Sequence, residues 1–327
     1  MDVTWTDTQH VPQGELVAPT LDLQYGDQGN DFELTHATPG LILTDGCYIG
    51  IEGTEHGGRI DGVKVDMQDG HADYTYTGRT WHGILAGKII QPDNGQDRLT
   101  MNGDANAIIK TIVNRVGLAS TFTVPATPSG ITIGSYTFHR YCTAWDGLRM
   151  MLTGAGARLA LTYTGDTCRL EAVNATTYEG TDSDQRIDFT AERAYTQINH
   201  LIGLGKGELK ARAVTHWYAS ANGTISQTQS LTGDREITQT YELTTSEGAD
   251  LSNKTRDKLK ELWKQGTIDL TIPDDIDLHI DDKAKAYDTT TGVGVTSPIV
   301  RIVVKLANGI TNTTYEAGSY DWPDEEA

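Results

Sequence analysis

Short runs that alternate apolar and polar residues, each closed by a glycine-bearing turn, recur along most of this 327-residue chain. A period of two puts every second side chain on one face of an extended strand, so such runs fold by pairing into sheets. Expected strands cover 15–17, 21–25, 32–35, 48–51, 59–65 and 72–77. The last two join around Gln68-Asp69-Gly70, a hairpin signal because glycine takes positive φ without steric cost. Composition points the same way: Tyr (14) far outnumbers Phe (4), which suits half-exposed pleated surfaces. The first hundred residues therefore read as a β domain.

The pattern then changes period. Asp104 is placed to cap a helix whose apolar residues Ala105, Ile108, Ile109, Ile112, Val113 and Val116 share one face, with Gly117 to end it. A second helix is signalled by the Thr143 cap with Asp146 three residues on, a buried stripe of Leu148, Met151 and Leu152, and Gly154 as the stop. A hairpin over 158–163 and 167–173 turns at Gly165-Asp166. Strands resume over 198–204, 212–218, 224–229 and 235–243, interrupted by a helix carrying Leu251, Leu259, Leu262 and Trp263. A last hairpin over 299–306 and 310–315 turns at Asn308-Gly309. The expected class is α+β, predominantly β: two tube-like β-barrel or sandwich domains flanking a small α+β domain. The expected boundaries are 1–103, 104–188 and 189–327, the last with a helical insertion at about 244–284. The tail residues Asp324, Glu325 and Glu326 are expected to fray.

A hydrophobic content of 37% and a charged content of 22% fit a folded domain rather than a disordered chain. No apolar run approaches the roughly 20 residues that cross a bilayer. The start, Met1 to Trp5, has neither a basic nor an apolar leader segment, so the chain is expected to be soluble and made in a cytoplasm. The formal net charge of −19 opposes gripping phosphate backbones or anionic lipid. Cys47, Cys142 and Cys168 are odd in number and far apart, which fits buried free thiols rather than a disulfide or zinc framework.

A search for chemistry finds little. Gly203-Leu204-Gly205-Lys206-Gly207 lacks the Ser or Thr that must follow the lysine of a phosphate-binding loop, so close-packed glycines in a strand explain it better. The nine histidines, among them His36, His82, His139 and His216, form no zinc spacing. His56, beside Thr54 and Glu55 and before Gly57-Gly58, reads as a solvent-exposed hairpin tip. The acidic stretch 274–282 lacks the central glycine and terminal glutamate of a calcium loop. Alternation of Ile276, Leu278 and Ile280 makes it a strand with a charged face. The 45 acids allow many carboxylate pairs, and the sequence fixes no separation between them. No catalytic, cofactor or metal residue is assigned.

Five ordered stretches carry a resemblance: Gly53-Thr54-Glu55-His56-Gly57-Gly58-Arg59-Ile60, residues 77–85 around Trp81, residues 103–109, Arg140-Tyr141, and residues 198–209 with Asn199, His200, Gly205, Lys206 and Gly207. Together, over about residues 15–320, they resemble the tail-hub proteins of siphoviruses, which are related in fold to the central baseplate hub of contractile phages. The resemblance implies a non-enzymatic structural protein without cofactor, at the tail tip of the virion. It implies two ring-forming β domains per chain, so that a homotrimer makes a pseudo-sixfold ring. Implied partners are the distal tail protein or last tail-tube ring, the tape-measure protein and tail-tip fibres or spikes. Viral DNA would pass only through the lumen, past an acidic wall, and no membrane is bound. Many such hubs continue into a wall-degrading or receptor-binding module; ending at Ala327, this chain is expected to be the hub alone. Two alternatives stand beside it. One is a tail-associated cell-wall hydrolase. The other is a glycan- or receptor-binding tip protein that uses Trp5, Trp81, Trp145, Trp217, Trp263 or Trp322.

Overall fold

Asp69 and Gly70 both adopt positive φ, 50° and 82°, and close a long hairpin between the strands Gly57–Gln68 and His71–Thr80. Asn308 and Gly309, at 53° and 77°, do the same between Gly294–Ala307 and Ile310–Ala317. Both turns stand where their dipeptides place them. The computed structural model describes residues 2–181, 188–192, 198–220, 224–263, 267–271, 277–287, 294–318, 320 and 322.

Where three domains were expected, the chain forms two compact units: Met1–Phe189 with Asp269–Ala286 and Thr296–Ala327, and Thr190–Ile268 with Tyr287–Val295. The first contains most of an eleven-stranded sheet. Its path runs Thr177–Thr181, Lys283–Tyr287, Gly294–Ala307, Thr20–Gly26, Asp31–Thr35, His71–Thr80, Gly57–Gln68, Tyr48–Gly50, Thr4–Thr6, Pro12–Glu15, with Ile310–Ala317 beside Gly294–Ala307. The terminal hairpin, expected with the second β domain, thus pairs with the first: Ile302 lies opposite Tyr25 and Val304 opposite Leu23. Among the described residues the path is open, so the expected barrel closure is absent.

Among the described residues, three α-helices pack in this unit. The unexpected one, α1 (Trp81–Ala86), is capped by Thr80, whose hydroxyl accepts the Gly83 N–H at 3.3 Å. Six residues with an internal glycine give no helical period to read. Gly83 is there for space, since a Cβ on it would lie 2.2 Å from the Asn30 carbonyl oxygen. Helix α2 (Ala105–Arg115) is capped by Asp104 through the Asn106 N–H at 3.0 Å and buries Ile108, Ile109, Ile112 and Val113. Helix α3 (Ala144–Gly154) starts with the expected reciprocal cap: the Thr143 hydroxyl accepts the Asp146 N–H at 3.0 Å and donates to the Asp146 carboxylate at 2.7 Å. It ends later than expected, with Gly154 still helical and Gly156 at φ 72° making the turn. A three-stranded sheet of Ala157–Tyr163, Cys168–Asn174 and Phe122–Thr123 packs with them, and one buried apolar cluster runs from Val3 through Ile109 and Leu152 to Val304.

The second unit has a four-stranded sheet ordered Ile225–Ser226, Val214–Ala219, His200–Leu204, Thr238–Glu242, covered by helix α4 (Gly248–Leu262). Leu201, Ala219 and Leu259 form its small core. A Cβ on Gly203 would lie 2.0 Å from the Thr255 hydroxyl, and one on Gly205 2.4 Å from the Ser246 carbonyl. These glycines let sheet and helix approach, as the packing reading required.

The acidic stretch departs from expectation. Residues 272–276 lie outside the described ones. Residues 277–282 form an irregular segment, not a strand, in which Leu278, Ile280, Asp281 and Asp282 are all buried.

Close strand packing makes a stability prediction. A Cβ on Gly78 would lie 2.0 Å from the Arg59 carbonyl oxygen and 2.7 Å from the Phe32 ring. Gly78→Ala should cost about 1–3 kcal/mol. Urea titration should show a lowered midpoint with an unchanged slope.

Candidate functional site

Helix α3 buries a guanidinium. Arg149 is 0% exposed, as the Leu148-Met151-Leu152 stripe on its own turn draws that face into the core. A buried charge has to be paired and hydrogen-bonded. Its Nε and Nη2 donate to Asp281 at 3.0 and 2.8 Å, and its Nη1 donates to Asp27 at 2.6 Å. The rings of Trp145 and Trp322 lie 4.9 and 4.7 Å from its central carbon, with Tyr320 stacked on Trp322 at 4.5 Å. Burial pushes the Tyr320 hydroxyl well up. Beside this group, Arg158 Nε donates to Asp282 at 3.1 Å, and the Asp282 carboxylate accepts the N–H of Thr176 at 2.7 Å and of His279 at 3.0 Å. Asp281 and Asp282, which read as part of a strand's charged face, are therefore the counter-ions of buried Arg149 and half-buried Arg158. Asp281 reaches its place with φ at 73°, in the left-handed region.

The same segment reaches a second buried acid. Glu55 lies in the turn between Tyr48–Gly50 and Gly57–Gln68, 5% exposed. Its two oxygens sit 2.7 Å from His279 Nδ1 and 3.2 Å from His82 Nε2. His82 lies flat against Tyr25, ring centroids 4.0 Å apart, and the Tyr25 hydroxyl reaches His56 Nδ1 at 3.3 Å. Burial works against the Glu55 charge, yet the hydrogen bonds from His279 and His82 hold the carboxyl well below its usual range. His279 shows the mirror effect: burial disfavours its cation, and the Glu55 carboxylate more than offsets this and raises it. Burial dominates at His82 and His56, whose values are lowered.

The turn that presents Glu55 explains its sequence. Gly53 takes φ 80°, and its N–H donates to the Tyr163 carbonyl at 2.9 Å while the Tyr163 N–H returns a bond to Thr54 at 2.8 Å. A Cβ on Gly57 would meet the Ile49 carbonyl at 2.4 Å and one on Gly58 the Arg79 carbonyl at 2.0 Å. Trp81 is fully buried against Tyr48 and Tyr163. Gly53, Thr54, Glu55, Gly57, Gly58 and Trp81 are thus brought together in the first unit. The expected exposed tip at His56 is instead half-buried.

Asn199, His200, Gly205, Lys206 and Gly207 gather in the second unit. Asn199 fastens two strands, donating to the Arg235 carbonyl at 2.7 Å and accepting the Ile237 N–H at 3.0 Å. His200 Nδ1 meets Glu236 at 2.6 Å and its Nε2 meets His216 at 2.9 Å, under the Tyr218 ring at 4.3 Å. Lys206 is exposed, 3.6 Å from Glu247. Gly207 takes φ 102°.

Tyr25, Glu55, His56, Arg158, Asp277 and His279 line an open cleft of ≈ 460 Å³. Both ring nitrogens of half-buried His279 face carboxylates, with Asp277 3.7 Å from Nε2. This arrangement clamps a charge and holds a proton between Glu55 and His279. Among the described residues, no group of three or more His, Cys, Asp or Glu side chains is placed to hold a metal ion. The three cysteines are buried, and burial raises the Cys142 thiol to about 11. None of the six tryptophans is fully exposed: Trp81 and Trp145 are buried and the others half-buried.

No family model matches the chain, and no curated protein sequence matches it. Solved structures do. The 43 kDa tail protein of prophage MuSo2 from Shewanella oneidensis superposes with a TM-score of 0.52 at 12% identity, over 99% of this chain and 100% of that one. Prophage tail protein gp18 from Listeria monocytogenes EGD-e gives 0.52 at 10% identity, over 98% and 95%. A chain of the p2 virion baseplate in its activated conformation gives 0.50 at 13%, over 98% and 100%. At these identities the likeness is one of fold: the chain is built like phage tail and baseplate proteins along its whole length.

Two predictions follow from the charges. Arg149→Met leaves Asp27 and Asp281 buried without their cation and should cost about 3–5 kcal/mol in a denaturation titration. His279, with its pKa raised in the fold, contributes stability that is complete below its unfolded value of about 6.5. That contribution is lost as pH rises through the higher folded value. The stability gap between wild type and His279→Gln should therefore be larger at about pH 5.5 than at about pH 9.

Proposed function

We propose that this chain is a structural hub of a tailed virus, at the junction of tail tube and tail tip. The observation that carries this reading is the end-to-end likeness of fold to a chain of the p2 virion baseplate. The ordered resemblance to siphovirus tail hubs supports the finer form: three copies close a pseudo-sixfold ring, each giving two β domains. Here those domains are the eleven-stranded sheet with its terminal hairpin and the four-stranded sheet of the second unit.

The chemistry of the described residues suits a load-transmitting part. Buried charges are spent on one another, several glycines serve close packing, and the Trp81 and Trp145 rings are buried. The net charge of −19 gives the assembled ring a wall that repels DNA and lets it slide. The distal tail protein or last tube ring would bind on one side, with fibres or a spike on the other and the tape-measure protein in the bore.

Sedimentation with particle imaging tests the reading. The expected species has three times the 35.6 kDa chain mass and shows a central opening. A monomer at all concentrations that clears cell walls in a zymogram would instead make the chain a hydrolase.

A further inference from the structure

The strand Ala157–Tyr163 buries every second residue in the core and turns Arg158, Ala160 and Thr162 the other way, into the cleft beside Glu55 and His279. Arg158 makes one hydrogen bond there, from its Nε to Asp282. Its side chain is only 11% exposed, yet among the described residues neither Nη group donates to anything. Both remain open to solvent, and the solvent they meet is that of the cleft. A guanidinium presents these groups as a rigid fork of donors. A second wall comes from Ile310–Ala317, which turns Thr311, Thr313 and Tyr315 into the same space. Asp277 adds an exposed acceptor.

The charges around the cleft select the class of ligand. Three carboxylates, Glu55, Asp277 and Asp282, stand against two cations, Arg158 and His279, which opposes an anion. The open fork of Arg158 repels a cation. His56 adds no charge, because burial lowers its value. A neutral ligand is left, one that accepts from Arg158 and donates to Asp277. Each hydroxyl of a polyol does both. An added peptide strand would need a ladder of backbone groups, whereas Ile310–Ala317 lines the cleft with its side-chain face. Tyr25, Leu278, Ile302 and Tyr315 give the apolar surface on which the flat side of a sugar ring packs. The volume of ≈ 460 Å³ lies within the roughly 300–1,000 Å³ of small-ligand pockets.

We infer that this cleft binds a neutral saccharide of one or two rings, held by both Nη groups of Arg158 and by the hydroxyls of the Ile310–Ala317 wall. No tryptophan takes part, unlike the glycan site that the sequence suggested. The site is a function beyond the structural role and does not depend on ring closure.

The test is a ligand-observed NMR titration of the full chain with glucose, galactose, mannose, rhamnose and N-acetylglucosamine and their disaccharides. At least one should bind with a Kd on the order of 1 mM. Arg158→Lys keeps a charge beside Asp282 and removes the fork, and should weaken that binding at least about tenfold. Thr313→Val leaves every ion pair in place; it should keep the thermal midpoint and weaken binding about three- to tenfold. The inference is overturned if no neutral sugar binds more tightly than about 50 mM, or if both variants bind as wild type does. Binding of acetate or inorganic phosphate without binding of any neutral sugar also overturns it, since the cleft is then an anion site. Each of these outcomes leaves the hub reading untouched, because sedimentation decides that separately.

Discussion

The first unit depends on one buried cation. Arg149 joins Asp27, 122 residues before it, to Asp281, 132 residues after it. Each of the three sits in a different stretch of chain: the turn after Thr20–Gly26, helix α3, and the segment that precedes Lys283–Tyr287. None could be buried alone, since an unpaired charge in the interior costs several kcal/mol. The three segments must therefore arrive together. Apolar packing would tolerate small slips between them; a guanidinium with fixed donor directions does not. The ion cluster thus supplies register where the hydrophobic core supplies most of the driving force.

Glu55 repeats the device with two histidines. It ties the turn of residues 51–56 to α1 through His82 and to the 277–282 segment through His279. Together the acids make the returning chain a fastened part of the first unit. This is sensible mechanics for a protein proposed to sit in a tail under load.

Local chemistry was legible in the residues, and long-range charge was not. The turns at Asp69-Gly70 and Asn308-Gly309 and the caps at Asp104 and Thr143 are written within a few neighbouring residues, and each stands where it was read. Helix α1 escaped because Gly83 hides its period and Thr80 looks like a strand residue. Arg149 looks like the solvated face of an amphipathic helix, and Asp281 and Asp282 look like a strand's charged face. Only the partner reveals that such a charge is buried, and the partner is more than a hundred residues away. The role of Glu55 was likewise hidden in a turn whose glycines suggested exposure. The terminal hairpin was read correctly as a hairpin and grouped with the wrong sheet, since strand pairing across the chain leaves no mark on either strand.

The central claim is that this fold serves as a ring-forming hub in a viral tail. A reconstruction of tails that contain this chain tests it most directly. The account predicts three copies around the tail axis where tube meets tip, with six β domains encircling an open bore. Density for the chain along the tube wall, on a peripheral fibre, or absent from the particle would contradict it.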